Sequence, residues 1–194
     1  MRGSRRSGFT LIEALFAMAL LALVVVKITL VLDSASDANS QESSAMTLED
    51  NARRVLDKLA YAVMSADRDA LFPDPESPNF SREIEFQIRL GVEDGEVVYS
   101  DPEWVGMEGN SVRHKDNPGL PEELRVTWCN TVRPFLAGEV DNGADDNGNG
   151  LSDEDGLSFT LEGNAVTIRL CLERPRKDGT AITQTVETVV TVRN

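Results

Sequence analysis

The sequence predicts an α+β fold in which one long N-terminal helix packs on an antiparallel β-sheet that carries a calcium-loop insertion. Three observations predict it. No glycine or proline occurs between Phe9 and Phe72, where average usage would place roughly eight. After the breaker cluster Phe72-Pro73-Asp74-Pro75-Glu76-Ser77-Pro78, apolar residues recur at period two between turn signals. Between two of those runs lies a segment of aspartate, asparagine and glycine, Val140 to Gly156.

The first element is apolar. From Phe9 to Val26 only Thr10 and Glu13 are polar, and beyond Lys27 the run resumes through Ile28, Leu30, Val31 and Leu32. Eighteen helical residues reach about 27 Å, close to a hydrocarbon thickness of about 30 Å. Arg2, Arg5 and Arg6 precede the span, and Asp33 and Asp37 follow it. The positive-inside rule then puts the N-terminus in the cytoplasm and everything after Leu32 outside it. An ordinary signal peptide has a shorter apolar stretch and no carboxylate inside it. Glu13 therefore calls for a compensating positive charge.

The second half of the helix is amphipathic. Leu48, Ala52, Val55, Leu56, Leu59 and Val63 fall on one face, while Glu49/Arg53 and Asp50/Arg54 are spaced as i,i+4 pairs. The stretch Asp33 to Ala45 between the halves is polar all round, which predicts an exposed or frayed segment.

Ile84, Phe86, Ile88 and Leu90 alternate with Glu85, Gln87 and Arg89, a strand with one wet face. Asp94-Gly95 is spaced as a hairpin turn into Val97 to Tyr99. Further strand runs are Leu124 to Cys129, Leu157 to Leu161, Val166 to Leu172 and Ile182 to Val192, with turns at Gly163-Asn164 and Asp178-Gly179. Cys129 and Cys171 are the two cysteines. Each falls out of phase with its strand's apolar set (Leu124, Val126, Trp128; Val166, Ile168, Leu170, Leu172), so both thiols are expected to face away from the main core. In an oxidising compartment outside the cytoplasm they are expected to pair as a disulfide, the other reading being two unrelated half-exposed thiols.

The acidic segment has metal-loop spacing. Asp145, Asn147 and Asn149 stand at positions 1, 3 and 5 of an EF-hand, Gly150 at the turn, the Leu151 carbonyl at position 7 and Asp153 at position 9. Position 12 is Gly156 instead of a bidentate glutamate, and Asp155 or Glu154 is left to substitute, as in the dockerin-like and thrombospondin-type repeats that the segment resembles. Calcium is the expected cation, in a structural role, because no flanking helix pair is present to open.

Composition excludes other classes. The formal charge is −14, and three of the 19 basic residues lie in the first eight positions, so phosphate backbones are repelled and no nucleic-acid partner is expected. The single histidine, His114, lies in a glycine- and proline-flanked stretch and reads as a surface residue. Trp104 and Trp128 read as packing. Phosphate-binding glycine loops and nucleophile elbows are absent from the sequence, and no catalytic residue is assigned.

The segment Arg5-Arg6-Ser7-Gly8-Phe9-Thr10-Leu11-Ile12-Glu13-Ala14 resembles the processing site of type IV prepilins and type II secretion pseudopilins. That resemblance implies a pilin-like fold, a leader of residues 1–8 cut after Gly8 by a prepilin peptidase, and N-methylation of Phe9. It also implies that Glu13 recognises the N-terminus of a neighbouring subunit. The expected division is then a transmembrane and assembly half over 9–32, an extracytoplasmic half over 33–72 and a periplasmic β-rich domain over 73–194. The helix Ala52 to Ala60 followed by Ile84 to Leu90 is similar to the J-type minor pseudopilins and the W-type minor pilins. Implied partners are other pseudopilins or minor pilins in a tip complex, the prepilin peptidase, and an inner-membrane assembly platform. The implied location is the bacterial inner membrane, single-pass, with no reaction catalysed.

Overall fold

A computed structural model describes residues 10–74, 76, 79–176 and 179–193. It divides into two compact units, Met1–Ser44 and Ala45–Asn194. Gly8, Phe9 and Asp178 lie outside the described residues.

The described part of the first unit is almost wholly helix. The helix α1 spans Leu11–Ser65, and its apolar side chains from Leu11 to Leu32 are exposed, Leu11 and Ile12 by 83% and 76%. Among the described residues it is the one helix long and apolar enough to cross a membrane. Together with that exposure, its composition fits a single-pass membrane protein. The polar stretch Asp33 to Ala45 is exposed as expected up to Ser43, with Ser44 and Ala45 half-buried, but it stays helical throughout.

Within the second unit α1 buries Leu48, Ala52, Val55, Leu56, Leu59, Ala62 and Val63, the predicted face with Ala62 added. Glu49 and Arg53 pair at 2.8 Å on the wet side. The helix ends at Ser65, seven residues before the expected boundary at Phe72. Tertiary hydrogen bonds take the backbone first: Asp67 N–H donates to the Gln87 carbonyl (3.0 Å), Arg68 N–H to the Arg193 carbonyl (2.8 Å), and Arg193 N–H to the Ala66 carbonyl (3.1 Å). The Asp67 carboxylate then caps a 3₁₀ turn at Arg68–Ala70 by accepting the Asp69 amide at 2.9 Å. Residues 71–72 form the first strand instead of a last helical turn.

The strands are β1 Leu71–Phe72, β2 Glu83–Phe86, β3 Arg89–Glu93, β4 Glu96–Tyr99, β5 Glu103–Glu108, β6 Ser111–Asp116, β7 Leu124–Cys129, β8 Leu157–Glu162, β9 Ala165–Pro175 and β10 Ala181–Thr191. A five-stranded antiparallel sheet has the order β1-β2-β5-β6-β7, a three-stranded one β10-β9-β8, and β3-β4 form a separate ribbon. The two larger sheets meet where Ser81 and Phe159 exchange both backbone hydrogen bonds, at 2.9 and 2.7 Å. One apolar cluster joins them to α1. At its centre are Leu59, Ile84, Phe86, Val105, Phe159, Ile168 and Leu170, all fully enclosed.

The expected single strand Ile84 to Leu90 is split after Phe86. Gln87 donates from Nε2 to the Ser100 carbonyl at 2.8 Å, and the Ile88 amide donates to Ser100 Oγ at 2.9 Å. These bonds turn the chain into the β3-β4 ribbon, so Leu90 ends 66% exposed. The ribbon closes at Asp94 and Gly95, with φ of 51° and 87°, the left-handed pair that the hairpin requires.

The cysteines depart from expectation. Cys129 and Cys171 are free, buried thiols, Cys129 in the five-stranded sheet and Cys171 in the three-stranded one, and the expected disulfide is absent. Parity fails at Cys129 because the pairing steps from Arg113↔Thr127 to Val112↔Cys129 and leaves Trp128 as an extra residue. That bulge turns Cys129 into the core. Cys171 keeps its predicted phase, off the core face, but it is sealed in: its carbonyl accepts from the Arg133 amide at 2.9 Å, and Thr185 Oγ1 donates to its sulfur at 3.4 Å. Burial raises both thiol pKa values.

Candidate functional site

The N-terminal site lies at the first turn of α1. Thr10 precedes the first helical residue, and Glu13 is three residues on, the arrangement of a capping box. Glu13 Oε2 accepts from the Thr10 amide and hydroxyl, and Thr10 Oγ1 accepts from the Glu13 amide, each at 3.4 Å. The spacing Thr-x-x-Glu carried this signal in the sequence. Glu13 thus has a local role at the helix start, through contacts long enough to yield to a better-placed cation.

The acidic loop runs between the five-stranded sheet and β8. Its oxygens hold its own backbone. Asp145 Oδ1 accepts from the Gly148 and Asn149 amides at 2.6 and 3.2 Å, and its Oδ2 from Gly150 at 2.8 Å. These bonds, that from Gly150 foremost, hold the Asp145 carboxyl below the usual carboxylate range. Asn147 Oδ1 accepts from Asn149, and Asn149 Oδ1 from Leu151. Asp153 reaches back to the amides of Asn142 and Gly143.

Two glutamates lie beneath the loop. Glu139, 1% exposed, accepts the Asn147 amide on Oε1 at 3.1 Å and the Asp153 amide on Oε2 at 3.0 Å. Glu154, fully enclosed, accepts from Ser158 Oγ at 2.9 Å, from Arg169 Nη1 at 3.3 Å and from Asn149 Nδ2. Glu139 carries no spacing signal in the sequence. Of the two candidates for the twelfth position, Glu154 turns toward the loop. Asp155 is half-buried, with its pKa raised by that burial and Arg82 as the opposing charge. Gly156 has no room for any side chain: a Cβ there would stand 1.8 Å from the Arg133 carbonyl oxygen.

A third group was read as loop surface. His114 lies on β6, and its Nε2 is 2.9 Å from Glu103 Oε2 and its Nδ1 3.6 Å from Asp116 Oδ1. The ring stacks on Trp128 with centroids 5.2 Å apart and planes 9° off parallel. The hydrogen bond to Glu103, assisted by Asp116, raises the His114 pKa against the effect of burial. β6 escaped the sequence reading because Arg113, His114, Lys115 and Asp116 carry no apolar alternation. Arg113 and Lys115 are both held by Glu108, and Lys115 lies 4.0 Å over the Trp104 ring.

No curated protein and no solved structure matches the chain. Residues 3–26 match the family model of the prokaryotic N-terminal methylation motif, the signal of type IV pilins and pseudopilins, which here leads into a long apolar helix.

Proposed function

We propose that the chain is a minor pseudopilin of a type II secretion system. It is cut after Gly8, methylated at Phe9, held in the bacterial inner membrane with its folded part in the periplasm, and incorporated at or near the tip of a pseudopilus that drives export. The observation that carries this reading is the methylation motif over residues 3–26, leading into a helix whose apolar side chains from Leu11 to Leu32 are exposed. Exposed apolar surface of that length requires lipid or other helices of its kind. In either setting Glu13 needs a positive partner, and the Phe9 ammonium of a neighbouring subunit neutralises it at low dielectric.

The role is mechanical, and no reaction is assigned to the chain. The test is deletion of the gene, complemented by wild type or by Glu13→Ala. Lost secretion restored by wild type and not by Glu13→Ala supports the reading. Lost motility, adhesion or DNA uptake with secretion intact moves the chain to the minor type IV pilins. Full function of Glu13→Ala in every assay points to a membrane-tethered module without a filament role.

We also propose calcium as a structural cation of the acidic loop, held by Asp145, Asn147, Asn149, the Leu151 carbonyl, Asp153 and Asp155 or Glu154. Its support is the EF-hand spacing of oxygen-bearing side chains. Calorimetric titration of the chelator-treated chain with calcium tests it, and a flat trace at millimolar calcium ends it.

A further inference from the structure

Three side chains outside both the membrane segment and the acidic loop converge on the sheet face against which α1 packs. Pairing of β5 with β6 sets Glu103 opposite Asp116, and His114, two residues before Asp116, shares their face. One donor atom from each lies within 4.8 Å of the other two. The side chains are 27%, 42% and 16% exposed for Glu103, Asp116 and His114, so water screens them only in part.

One imidazole nitrogen and two carboxylate oxygens form the donor set of zinc, cobalt and similar divalent ions; calcium takes oxygen alone. Closing on such an ion at about 2.0–2.2 Å needs rotation about side-chain torsions, while two paired strands hold the three backbones in place. The Trp128 stack fixes the plane of the ring. Two carboxylates meet here. The cations across the groove, Arg54 and Lys58 on α1, make no hydrogen bond or ion pair with them among the described residues, and Lys58 lies over the Trp128 ring at 5.7 Å. Glu103 and His114 also line a cavity of about 520 Å³ bounded by Lys58, Tyr61, Ile88 and Trp128, which leaves room for water or a further ligand on the open side of an ion.

We propose that Glu103, His114 and Asp116 form a binding site for a divalent metal ion of the zinc class, open toward that cavity. The test uses the untagged full chain in detergent micelles, stripped with chelator and titrated with zinc chloride. His114 is the only histidine, so its ring protons give a single assignable set in the NMR spectrum. The expected result is a shift of that set saturating at one equivalent, with calorimetry giving the same stoichiometry. Asp116→Asn weakens binding by about tenfold or more, and Glu93→Gln on the exposed β3-β4 ribbon leaves the isotherm unchanged. No movement of the His114 resonances at one equivalent overturns the proposal. So does binding that survives Asp116→Asn intact, or binding that is lost equally in Glu93→Gln.

Discussion

Glu154, with none of its surface exposed, holds its Oε1 3.3 Å from Nη1 of Arg169, and this contact fastens the acidic loop to β9. The same guanidinium reaches Glu187 on β10 through Nε at 2.6 Å, so one side chain links the loop to two strands. Arg169→Ala strands an enclosed carboxylate, and the expected loss of stability is about 3 kcal/mol, the low end for breaking a buried pair because Ser158 and Asn149 remain as donors. Denaturant unfolding followed by tryptophan fluorescence measures it, and an unchanged midpoint contradicts it.

Glu139, almost wholly enclosed, accepts the amides of Asn147 and Asp153, one on each carboxylate oxygen. Glu139→Ala removes both acceptors at once and is expected to cost about 1–3 kcal/mol. Glu139→Gln keeps one acceptor oxygen and is expected to lose roughly half as much. Equal losses in the two variants contradict the hydrogen-bond account and point to volume instead.

Two glycines of the same loop separate steric exclusion from backbone strain. At Gly156 an added Cβ meets the Arg133 carbonyl at 1.8 Å, so Gly156→Ala must displace backbone and is expected to cost about 3 kcal/mol or more. At Gly150, φ is 89° and nothing lies within 4 Å, so Gly150→Ala is expected to cost only about 1–2 kcal/mol. The reverse order of melting temperatures contradicts this assignment.

The cysteines are expected to be inert in the native chain and free on unfolding. Burial raises both pKa values, which lowers the thiolate fraction, and both sulfurs are enclosed. Ellman titration is expected to find little reaction before denaturant and two thiols after it, without reductant. No thiols in unreduced, denatured protein contradicts the structure.

Local pattern carried much of the architecture. The buried face from Leu48 to Val63, the Asp94-Gly95 turn and the strands β7 to β10 were legible because period and turn chemistry act over a few residues. What escaped depends on distant partners. The helix stops at Ser65 because Gln87 and Arg193, far along the chain, accept and donate its backbone bonds. β6 is a strand despite four polar residues in a row because β5 and β7 flank it and Glu108 pairs its cations. Cys129 turns inward through one extra residue at Trp128, a change no parity count registers.

The candidate sites divide the same way. The motif around Gly8 and Glu13 was readable because its information is contiguous, as was the Asp145 to Asp153 spacing. Glu139 beneath the loop, and the trio Glu103, His114 and Asp116, are assembled by strand pairing and by a chain reversal, so nothing in their sequence separation announces them.

Mass spectrometry of the N-terminus of the protein isolated from its native membrane decides whether the chain is cut and methylated as proposed. The expected product begins at Phe9 and carries one added methyl group on its terminal nitrogen. A polypeptide that still begins at Met1, or one that begins beyond Leu32, contradicts it.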